Sequence, residues 1–337
     1  YLDTPVSVMD YASLYPSSMI SENLSHDSII LNDKYLGDDG IKELEKLGYS
    51  HVDVTYDVYK WIDPKIKSKG KCKVGVKTCR FAQPNDGSKG IIPRILQALL
   101  KARKNTRKQI KYKTVTDKDG KSYNGLLEKT ETEHIIKNVE GKEWKIKNSD
   151  VVKVEDTFNE FQKAVKDGFQ LAYKITANSL YGQIGARTSP IYMKDIAAST
   201  TATGRKLLHL ARDKVHEKFD GAEVVYGDTD SIFVNFNAKD ENGNLLKGKK
   251  GLKASIDLGV QAEEYIKGFL KPPHNLEYEK TFWPFILFSK KRYIGNKYEF
   301  DLDKYKQTSM GIVLKRRDNA DIVKHVYGGV IDIIMNQ

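Results

Sequence analysis

Two carboxylates lie two positions apart in a segment whose pattern is typical of a β-hairpin. Asp228 and Asp230 occupy the turn of EVVYGDTDSIFVN (223–235), where β-forming residues flank the turn on both sides. Residues two apart on an extended chain point the same way, and Mg²⁺ prefers one or two carboxylates while keeping positions for water and phosphate. The segment therefore predicts a site for a hard divalent cation, although Gly and Asp are also ordinary turn residues.

A third carboxylate, Asp10, ends the apolar segment VSVMD and is followed by YASLYPSSM, in which Pro16 leads into a helix. A strand that ends in an acid and then turns into a helix presents backbone N–H groups beside the carboxylate, and such amides suit phosphate oxygens. Two carboxylates from separate strands, with amides between them, are what two-metal phosphoryl transfer requires. Alone, the segment would be a buried strand and turn; with Asp230, it indicates a shared site.

Two predicted helices, at about 89–113 and 157–182, carry polar residues on one face each. These residues are spaced i, i+4 or i+7: Arg103 and Arg107 on the first helix, and Lys174, Asn178 and Tyr181 on the second. If the helices form an antiparallel hairpin, Arg103, Lys174 and Asn178 can converge on a triphosphate. The alternative is a solvated basic face. Gly182 indicates a close backbone approach or a helix end.

The elements that must position these residues are both helical and β. Residues 114–152 contain the turn signals DKDG and VEGK and predict a small β insertion at the tip of the helical hairpin. A further helix is predicted at 195–219 and the acidic hairpin at 222–236. Two Gly/Lys-rich loops are expected at 239–251 and 295–298. The expected fold class is α+β.

The composition favours a polyanionic partner. The 337 residues carry a net charge of +11 with a pI of about 9.2, although a merely basic surface would give the same numbers. Cys72 and Cys79 are spaced wrongly for a zinc knuckle, so we expect reduced thiols of an intracellular protein. No apolar run is long enough to span a membrane. The ends, YLDTPVSV and VIDIIMNQ, are expected to be fragment boundaries.

Four segments, in order, resemble motifs A, B, C and the KKRY element of family B DNA polymerases: VMDYASLYPSSM, KITANSLYG, YGDTDSIFV and SKKRYIG. GIIPRILQALLKARK is similar to the first fingers helix of these enzymes, and the likeness, over about residues 5–315, is closest in character to polymerases of large DNA viruses. It implies an antiparallel β-sheet palm backed by helices, with an inserted antiparallel helical hairpin as fingers. The resemblance implies a palm in two parts: 1–87, with motif A, and 186–300, with the catalytic hairpin and the KKRY element. The fingers would be 88–185, with the β insertion at about 114–152. A truncated start of the thumb would follow at 301–337.

The resemblance also implies roles for single residues. Two Mg²⁺ ions, replaceable by Mn²⁺, would be held by Asp10 and Asp230, with Asp228 as a nearby catalytic acid and Glu279 as a weaker metal candidate. Nucleotide contacts would be the amides of Ser13, Leu14 and Tyr15, with Tyr15 also excluding a 2′-hydroxyl, and the side chains of Arg103, Lys174, Asn178 and, less strongly, Arg107. DNA contacts would be Tyr181, Gly182, Lys290, Lys291, Arg292 and Tyr293.

The implied activity is that of a DNA-directed DNA polymerase in viral DNA replication, with primer–template DNA, dNTPs and a processivity factor as partners and no membrane. It would act inside the cell, in the host nucleus or at a cytoplasmic viral replication site. With only the start of a thumb, we expect this stretch alone to be weakly active. No exonuclease acids of the DxE kind precede motif A, so the resemblance assigns no proofreading to these residues. Two other interpretations stay open: another palm polymerase such as a reverse transcriptase, and a catalytically inactive polymerase-like DNA-binding scaffold. The pattern of Tyr15, Lys174 and Asn178 favours a DNA-templated enzyme, and the intact Asp10 and Asp230 argue against a scaffold.

Overall fold

A computed structural model describes residues 1–315 and 317–335 of the chain. The strands are β1 (Val6–Tyr11), β2 (Tyr49–Trp61), β3 (Lys71–Pro84), β4 (Lys113–Asp117), β5 (Ser122–Lys129), β6 (Glu133–Lys137), β7 (Glu143–Lys147), β8 (Val151–Asp156), β9 (Glu223–Asp228), β10 (Ser231–Asn235), β11 (Leu276–Ser289), β12 (Arg292–Tyr298) and β13 (Lys306–Met310). The α-helices are α1 (Leu14–Ser21), α2 (Gly37–Lys46), α3 (Ile91–Ile110), α4 (Glu160–Gly185), α5 (Lys194–Lys218), α6 (Gly248–Lys267) and α7 (Asp321–Met335).

The chain forms two compact units. The first unit comprises Tyr1–Ser21, Val54–Thr78 and Ser199–Gln337, and the second unit comprises Glu22–Asp53 and Cys79–Ala198. The sheets are antiparallel and helices accompany them, which confirms the α+β class expected from the sequence. In the described part of the chain, no helix combines the length and the hydropathy needed to cross a membrane.

The first unit is built on a six-stranded sheet in the order β13-β12-β11-β1-β10-β9. The central strand β1 is buried along most of its length and pairs with β10 on one side and β11 on the other. Successive side chains point to opposite faces of a sheet. Val6, Val8 and Asp10 therefore share one face, while Met9 and Tyr11 lie on the other.

Helices cover the face that carries Met9 and Tyr11. Ala211 and Val215 of α5 and Ala262 of α6 pack there with these two residues in one buried cluster. A Cβ atom on Gly259 of α6 would lie 2.6 Å from the ring of Tyr278 on β11, so a glycine at this position lets the helix approach the sheet closely.

Aromatic rings fill the opposite face, below Asp10. Phe233 lies 5.3 Å from Tyr293 and 5.6 Å from Phe285 between ring centroids, and Val6, Val8 and Phe282 complete the cluster. Burying each large apolar side chain contributes about 1.5–3 kcal/mol. This face is therefore a rigid support for the carboxylates at its edge.

The second unit contains α3 and α4 as an antiparallel pair. Arg103 Nε donates to Gln170 Oε1 over 3.3 Å, and Lys166 Nζ donates to Gln109 Oε1 over 3.0 Å, so the contacts advance along one helix as they retreat along the other. The chain segment that connects these two helices forms a five-stranded sheet in the order β7-β6-β5-β4-β8. Its own buried cluster is made by Val115, Ile136 and Ile146.

Three predicted boundaries were wrong in detail. Helix α4 begins at 160, not 157, because Asn159 and Gln162 form a reciprocal capping box there. Part of the loop expected at 239–251 is the first turn of α6. The loop expected at 295–298 lies inside β12, where a Cβ atom on Gly295 would meet the ring of Phe282 at 2.6 Å, so the glycine serves packing and not a turn.

Candidate active site

Asp10, Asp228 and Asp230 line one pocket of about 220 Å³ in the first unit. The sheet register places them there because Asp10 on β1 lies opposite Ser231, the first residue of β10. The backbone N–H of Tyr11 donates to the carbonyl oxygen of Asp230 over 2.8 Å. Two carboxylates about 220 positions apart in sequence are thus held by directly hydrogen-bonded strands.

The turn between β9 and β10 is tight. Asp228 and Ser231 are register partners, so Thr229 and Asp230 form a two-residue connection. Thr229 has a φ of +52°, in the left-handed region that a β-branched residue rarely adopts. Such a conformation costs on the order of 1–3 kcal/mol and persists only where the surrounding structure enforces it. It sets the direction in which the two aspartates leave the turn.

Asp228 forms an ion pair with Lys291, whose ammonium also approaches the hydroxyl of Thr229 over 3.4 Å. The side chain of Asp228 is 11% exposed and that of Lys291 54%. Burial raises the pKa of Asp228, but the hydrogen bond and charge of Lys291 outweigh it, so the pKa lies below its usual range. Lys291 is itself fixed, because its backbone N–H donates to the hydroxyl of Tyr226 over 2.8 Å.

Glu279 lies at a β-bulge, since the register between β1 and β11 shifts between Val8 and Met9. Bulges of this kind redirect a side chain. Glu279 also lines the pocket, but its carboxylate lies 3.0 Å from the ammonium of Lys280. A lysine therefore competes with any cation for this carboxylate.

The donor set fits a magnesium site better than a dedicated metal cage. Within residues 1–315 and 317–335, no three His, Cys, Asp or Glu side chains form a group that could enclose a metal ion. Mg²⁺ needs only one or two carboxylates and completes its octahedron with water and substrate oxygens. Asp10 and Asp230 line the pocket and could serve as such ligands, whereas Asp228 and Glu279 each face a lysine.

Tyr15 lies in the first turn of α1, close to the acids. Burial raises the pKa of its hydroxyl, and the charge of Asp230 raises it further, while Arg205 acts in the opposite direction. A Cβ atom on Gly204 of α5 would lie 3.3 Å from Cε1 of Tyr15, so this glycine makes room for the ring. Ser13, just before α1, has a φ of +52°. The N–H groups of Ser13, Leu14 and Tyr15 belong to the helix start, which has no intrahelical acceptors.

The KKRY segment forms the turn between β11 and β12. Lys290, Lys291 and Arg292 are exposed, and Lys291 has a φ of +60°. Tyr293 is only 9% exposed and its ring belongs to the aromatic cluster. Burial, and then the charge of Asp228, raise the pKa of Tyr293 to about 12. Its ring is a structural element of the pocket wall.

The second unit carries the other residues that the sequence analysis selected: Arg103 and Arg107 on α3, and Lys174, Asn178, Tyr181 and Gly182 on α4. Arg103 is half-buried beside Gln170, whereas Arg107, Lys174 and Asn178 are exposed. A Cβ atom on Gly182 would meet nothing within 4 Å. The structure thus gathers the acids in the first unit and this basic set on the paired helices of the second.

Sequence reasoning missed several residues at the pocket. Lys280, Thr229 and Met310 line it, and Gly204 and Arg205 of α5 lie beside Tyr15. Gly204, the glycine of TATGRK, is the only local sign in the sequence that α5 makes a close contact here. The pairing of Lys291 with Asp228 had no local signal at all, since 63 positions separate them.

Residues 1–125 and 145–337 match the sequence profile of DNA polymerase family B. Residues 126–144, which lie in the inserted sheet of the second unit, fall outside that match.

Individual relatives agree with this match. A DNA polymerase of Pyramimonas orientalis virus is 56% identical over 337 residues, which cover 100% of this chain and 27% of that protein. A DNA polymerase of Phaeocystis pouchetii virus is 39% identical over 302 residues, covering 81% of this chain and 24% of that protein. A DNA polymerase delta catalytic subunit of Schizosaccharomyces pombe is 31% identical over 97% of this chain and 23% of its own length. The chain therefore spans about a quarter of the length of these relatives.

Proposed function

Because the chain belongs to DNA polymerase family B, we propose that it is the catalytic part of a DNA-templated DNA polymerase, which joins dNTPs to a primer 3′-hydroxyl and releases pyrophosphate. The proposal rests on one observation: Asp10, on β1, and Asp230, in the turn before the hydrogen-bonded neighbour β10, line the same pocket. The similarity to viral polymerases supports a role in viral DNA replication inside the cell. A processivity factor is proposed as a further partner.

In this proposal the first unit supplies the palm. Five of the six strands of its sheet lie within the proposed palm segments at 1–87 and 186–300, and the sixth, β13, follows the proposed start of the thumb at about 301. The helical pair α3 and α4, with the sheet inserted between them, corresponds to the fingers at 88–185. The order of these segments along the chain supports the assignment.

Asp10 and Asp230 are the proposed ligands of two Mg²⁺ ions, for which Mn²⁺ can substitute. Bound there, the ions would activate the attacking oxygen and neutralise charge on the leaving oxygen. Asp228 would act less directly, because its carboxylate faces Lys291. That pair would hold the turn, and hence Asp230, in place relative to Asp10. Glu279 stays a weaker candidate because of Lys280.

Two sets of groups are proposed to contact the nucleotide. The amides of Ser13, Leu14 and Tyr15 at the start of α1 suit the β- and γ-phosphates, and the ring of Tyr15 would exclude a ribose 2′-hydroxyl. From the fingers, Arg103, Lys174 and Asn178 would bind the triphosphate, with Arg107 as a weaker contact. Closure of the fingers would couple correct pairing to catalysis.

DNA would be recognised by shape and backbone, because template pairing supplies the sequence choice. Tyr181 and Gly182 would lie under the nascent base pair, and the open space beside Gly182 supports close approach there. The exposed Lys290 and Arg292 are suited to the primer–template backbone, and Lys291 would be shared between Asp228 and DNA. The net charge of +11 supports a polyanionic partner.

Replacement of one acid tests the proposal in the protein at its full natural length. Asp230→Ala should reduce primer extension by about 10³-fold or more, because a lost metal ligand removes several kcal/mol of transition-state stabilisation. Binding of primer–template in EDTA should stay near the wild-type value. Asp257→Ala, which removes an exposed acid of α6 in the same unit, is the matched control and should extend primers normally.

The same assay separates the alternatives. A wild-type protein that binds primer–template but extends nothing would favour the catalytically inactive scaffold. Extension that proceeds faster on an RNA template than on a DNA template would favour a reverse transcriptase. Near wild-type extension by Asp230→Ala would refute the assignment of the metal ligands.

A further inference from the structure

A strongly basic hairpin projects from the first unit. The segment 58–77, here named the basic hairpin, is the distal part of β2 and β3 and reads VYKWIDPKIKSKGKCKVGVK. It holds seven lysines and one acid, Asp63. No role in the proposed nucleotidyl transfer falls on this segment, so its charge needs another explanation.

Beyond Tyr56 the hairpin has almost no buried side chain on either face. Tyr59 is 55% exposed and Trp61 40% exposed. These two residues are two positions apart on β2 and so lie on the same face. Lys71 belongs to that face as well, since its ammonium lies 4.5 Å from the centroid of the Trp61 ring. The face thus interleaves exposed aromatic rings with ammonium groups.

Only part of the positive charge is paired with carboxylates in the part of the chain that the structure describes. Lys73 pairs with Asp57 over 2.7 Å and Lys69 with Asp63 over 3.5 Å. Lys60, Lys65 and Lys67 have no carboxylate within ion-pair distance among the residues that the structure describes. Exposed lysines gathered beside aromatic rings are the features with which proteins hold a phosphodiester backbone and stack on unpaired bases.

The root of the hairpin is electrostatically linked to the candidate active site. The hydrogen bond from Lys73, together with its charge, lowers the pKa of Asp57 despite some desolvation, and Arg205 of α5 lowers it further. The charge of Arg205 also lowers the pKa of Tyr15, which the charge of Asp230 raises. Arg205 thus lies within electrostatic range of both Asp57 at the hairpin root and Tyr15 beside the pocket.

We propose that the basic hairpin is an additional DNA-binding element, which holds the sugar–phosphate backbone next to the pocket and prolongs each association with the primer–template. The inference rests on the proposed function for its ligand. Charge complementarity identifies the occupant: lysines that project from both faces of a hairpin match a polyanion. The backbone can be that of the duplex or that of the unpaired template.

The first test compares salt dependences of DNA binding in EDTA, at the full natural length of the protein. The variant Lys60→Ala/Lys65→Ala/Lys67→Ala is measured against Lys247→Ala/Lys250→Ala/Lys253→Ala, which removes equal charge from exposed positions on and just before α6. The slope of log K against log salt changes by about 0.9 per phosphate contact on duplex and about 0.7 on single strands. The hairpin variant should lower the slope by about 2–3, and the control by less than about 1.

The duplex and single-stranded arms of this experiment identify the source of the backbone. A loss confined to a blunt duplex assigns the hairpin to the primer–template stem, and a loss confined to a single strand assigns it to the unpaired template. Single-turnover incorporation at saturating DNA should be unchanged within about twofold, whereas the number of nucleotides added per binding event should fall. A wild-type slope in the hairpin variant on both probes overturns the inference.

Trp61 supplies a second readout that does not depend on activity. In the full-length protein, the DNA-induced change in tryptophan fluorescence that is present in the wild type and lost in Trp61→Phe reports on Trp61, and Trp144→Phe is the matched control. DNA should quench this fluorescence and shift the emission. Unchanged emission on DNA, with a shift on vesicles of anionic phospholipid, would refute the DNA assignment in favour of a membrane surface. If the protein binds DNA through the hairpin but synthesises no DNA, this inference holds and the proposed function fails.

Discussion

Asp228 is the residue whose environment departs most from its sequence context. In the sequence it is one of two equivalent turn aspartates, but in the structure its carboxylate is nearly buried and faces the ammonium of Lys291. Removing one member of such a pair leaves the other without its partner in a poorly solvated position. The pair is therefore expected to stabilise the turn as well as to shape the pocket.

Lys291→Met should lower the free energy of unfolding by about 1 kcal/mol at pH 7, a modest value because the ammonium is half exposed. The folded-state pKa of Asp228 lies below its unfolded value. The pair's contribution is therefore complete above about pH 4 and is lost as the pH falls through the lowered folded pKa. Urea unfolding in EDTA at several pH values should show wild type and variant converging below that range.

Lys290→Met is the control for this prediction, since it removes a neighbouring exposed lysine for which the described residues show no carboxylate partner. It should leave unfolding at pH 7 unchanged within about 0.5 kcal/mol. A gap between wild type and Lys291→Met that stays constant from pH 7 to pH 2 would contradict the role assigned to Asp228.

At the residue scale, the sequence identifies groups but not their partners. Asp10, Asp228 and Asp230 were predicted because their strand and turn contexts are local patterns. Lys291 was selected only for its likeness to the KKRY element, and its ion pair joins two different turns of one sheet. Glu279 was proposed as an acid near the metal, but its link to the adjacent Lys280 depends on a bulge that no local pattern announces.

Helix α4 contains two glycines for which the described residues show no packing requirement. Gly168 and Gly182 both lie inside this helix, and a Cβ atom on either would meet nothing within 4 Å. Glycine weakens a helix interior by about 1 kcal/mol relative to alanine. The chain itself therefore gives neither position a packing reason to be glycine.

Gly182→Ala should raise the free energy of unfolding by about 0.5–1 kcal/mol while it slows nucleotide incorporation by about tenfold. The physical reason is that the added methyl group would occupy space reserved for the nascent base pair. Gly168→Ala, on the same helix, should give the same gain in stability and no loss of incorporation. Equal incorporation by the two variants would contradict the proposed place of Gly182.

Elements with a strong period or clear start and stop signals were predicted well. The helices at α3 and α5 and the acidic hairpin lie within a few residues of their expected bounds, because an apolar stripe or a turn defines each one locally. Two of the three wrong boundaries, at 239–251 and 295–298, lie where glycine-rich sequence predicts a loop. In β12, Gly295 is buried against Phe282, and that reason is visible only when the sheet has formed.

At the scale of the whole molecule, the inserted sheet of the second unit behaves as an addition to the family fold. The sequence profile of the family passes over 126–144, and the sheet has its own small core. At the end of the β4–β8 ladder, where the chain leaves for β5–β7 and returns, the N–H of Lys118 donates to the carbonyl oxygen of Asp150 over 2.9 Å. A short turn could therefore join β4 directly to β8.

Replacing 119–149 by Asn-Gly should leave primer extension within about threefold of wild type. The variant also carries Val115→Thr, because the deletion exposes the side chain of residue 115 to solvent. Asn-Gly favours the two-residue turn that an antiparallel pair needs. Rates and thermal unfolding would be compared with those of Val115→Thr alone, in which the buried hydroxyl should destabilise only the inserted sheet. A loss of extension greater than about tenfold would show that the insertion takes part in catalysis.

The arrangement of the large sheet was beyond local sequence patterns. The strand order places β1 between two strands that follow it by more than 200 residues. Alternation indicates which side chains share a face of one strand, but not which strands are neighbours. The meeting of Asp10 with Asp230 was expected because of the resemblance and the shared chemistry, and the register of β1 with β10 supplies its physical cause.

That central position of β1 has a consequence for biosynthesis. Strand β1 is among the first residues of this stretch to be made. At a translation rate of about 5–20 residues per second, the ribosome needs roughly a further 10–40 s to make its partner strands. Until then VSVMDY presents unsatisfied edges and apolar side chains to the cell, the kind of segment that invites misassembly. We expect newly made chains to depend on chaperones during this interval, and nascent chains halted before residue 231 to lack the assembled acidic pocket altogether.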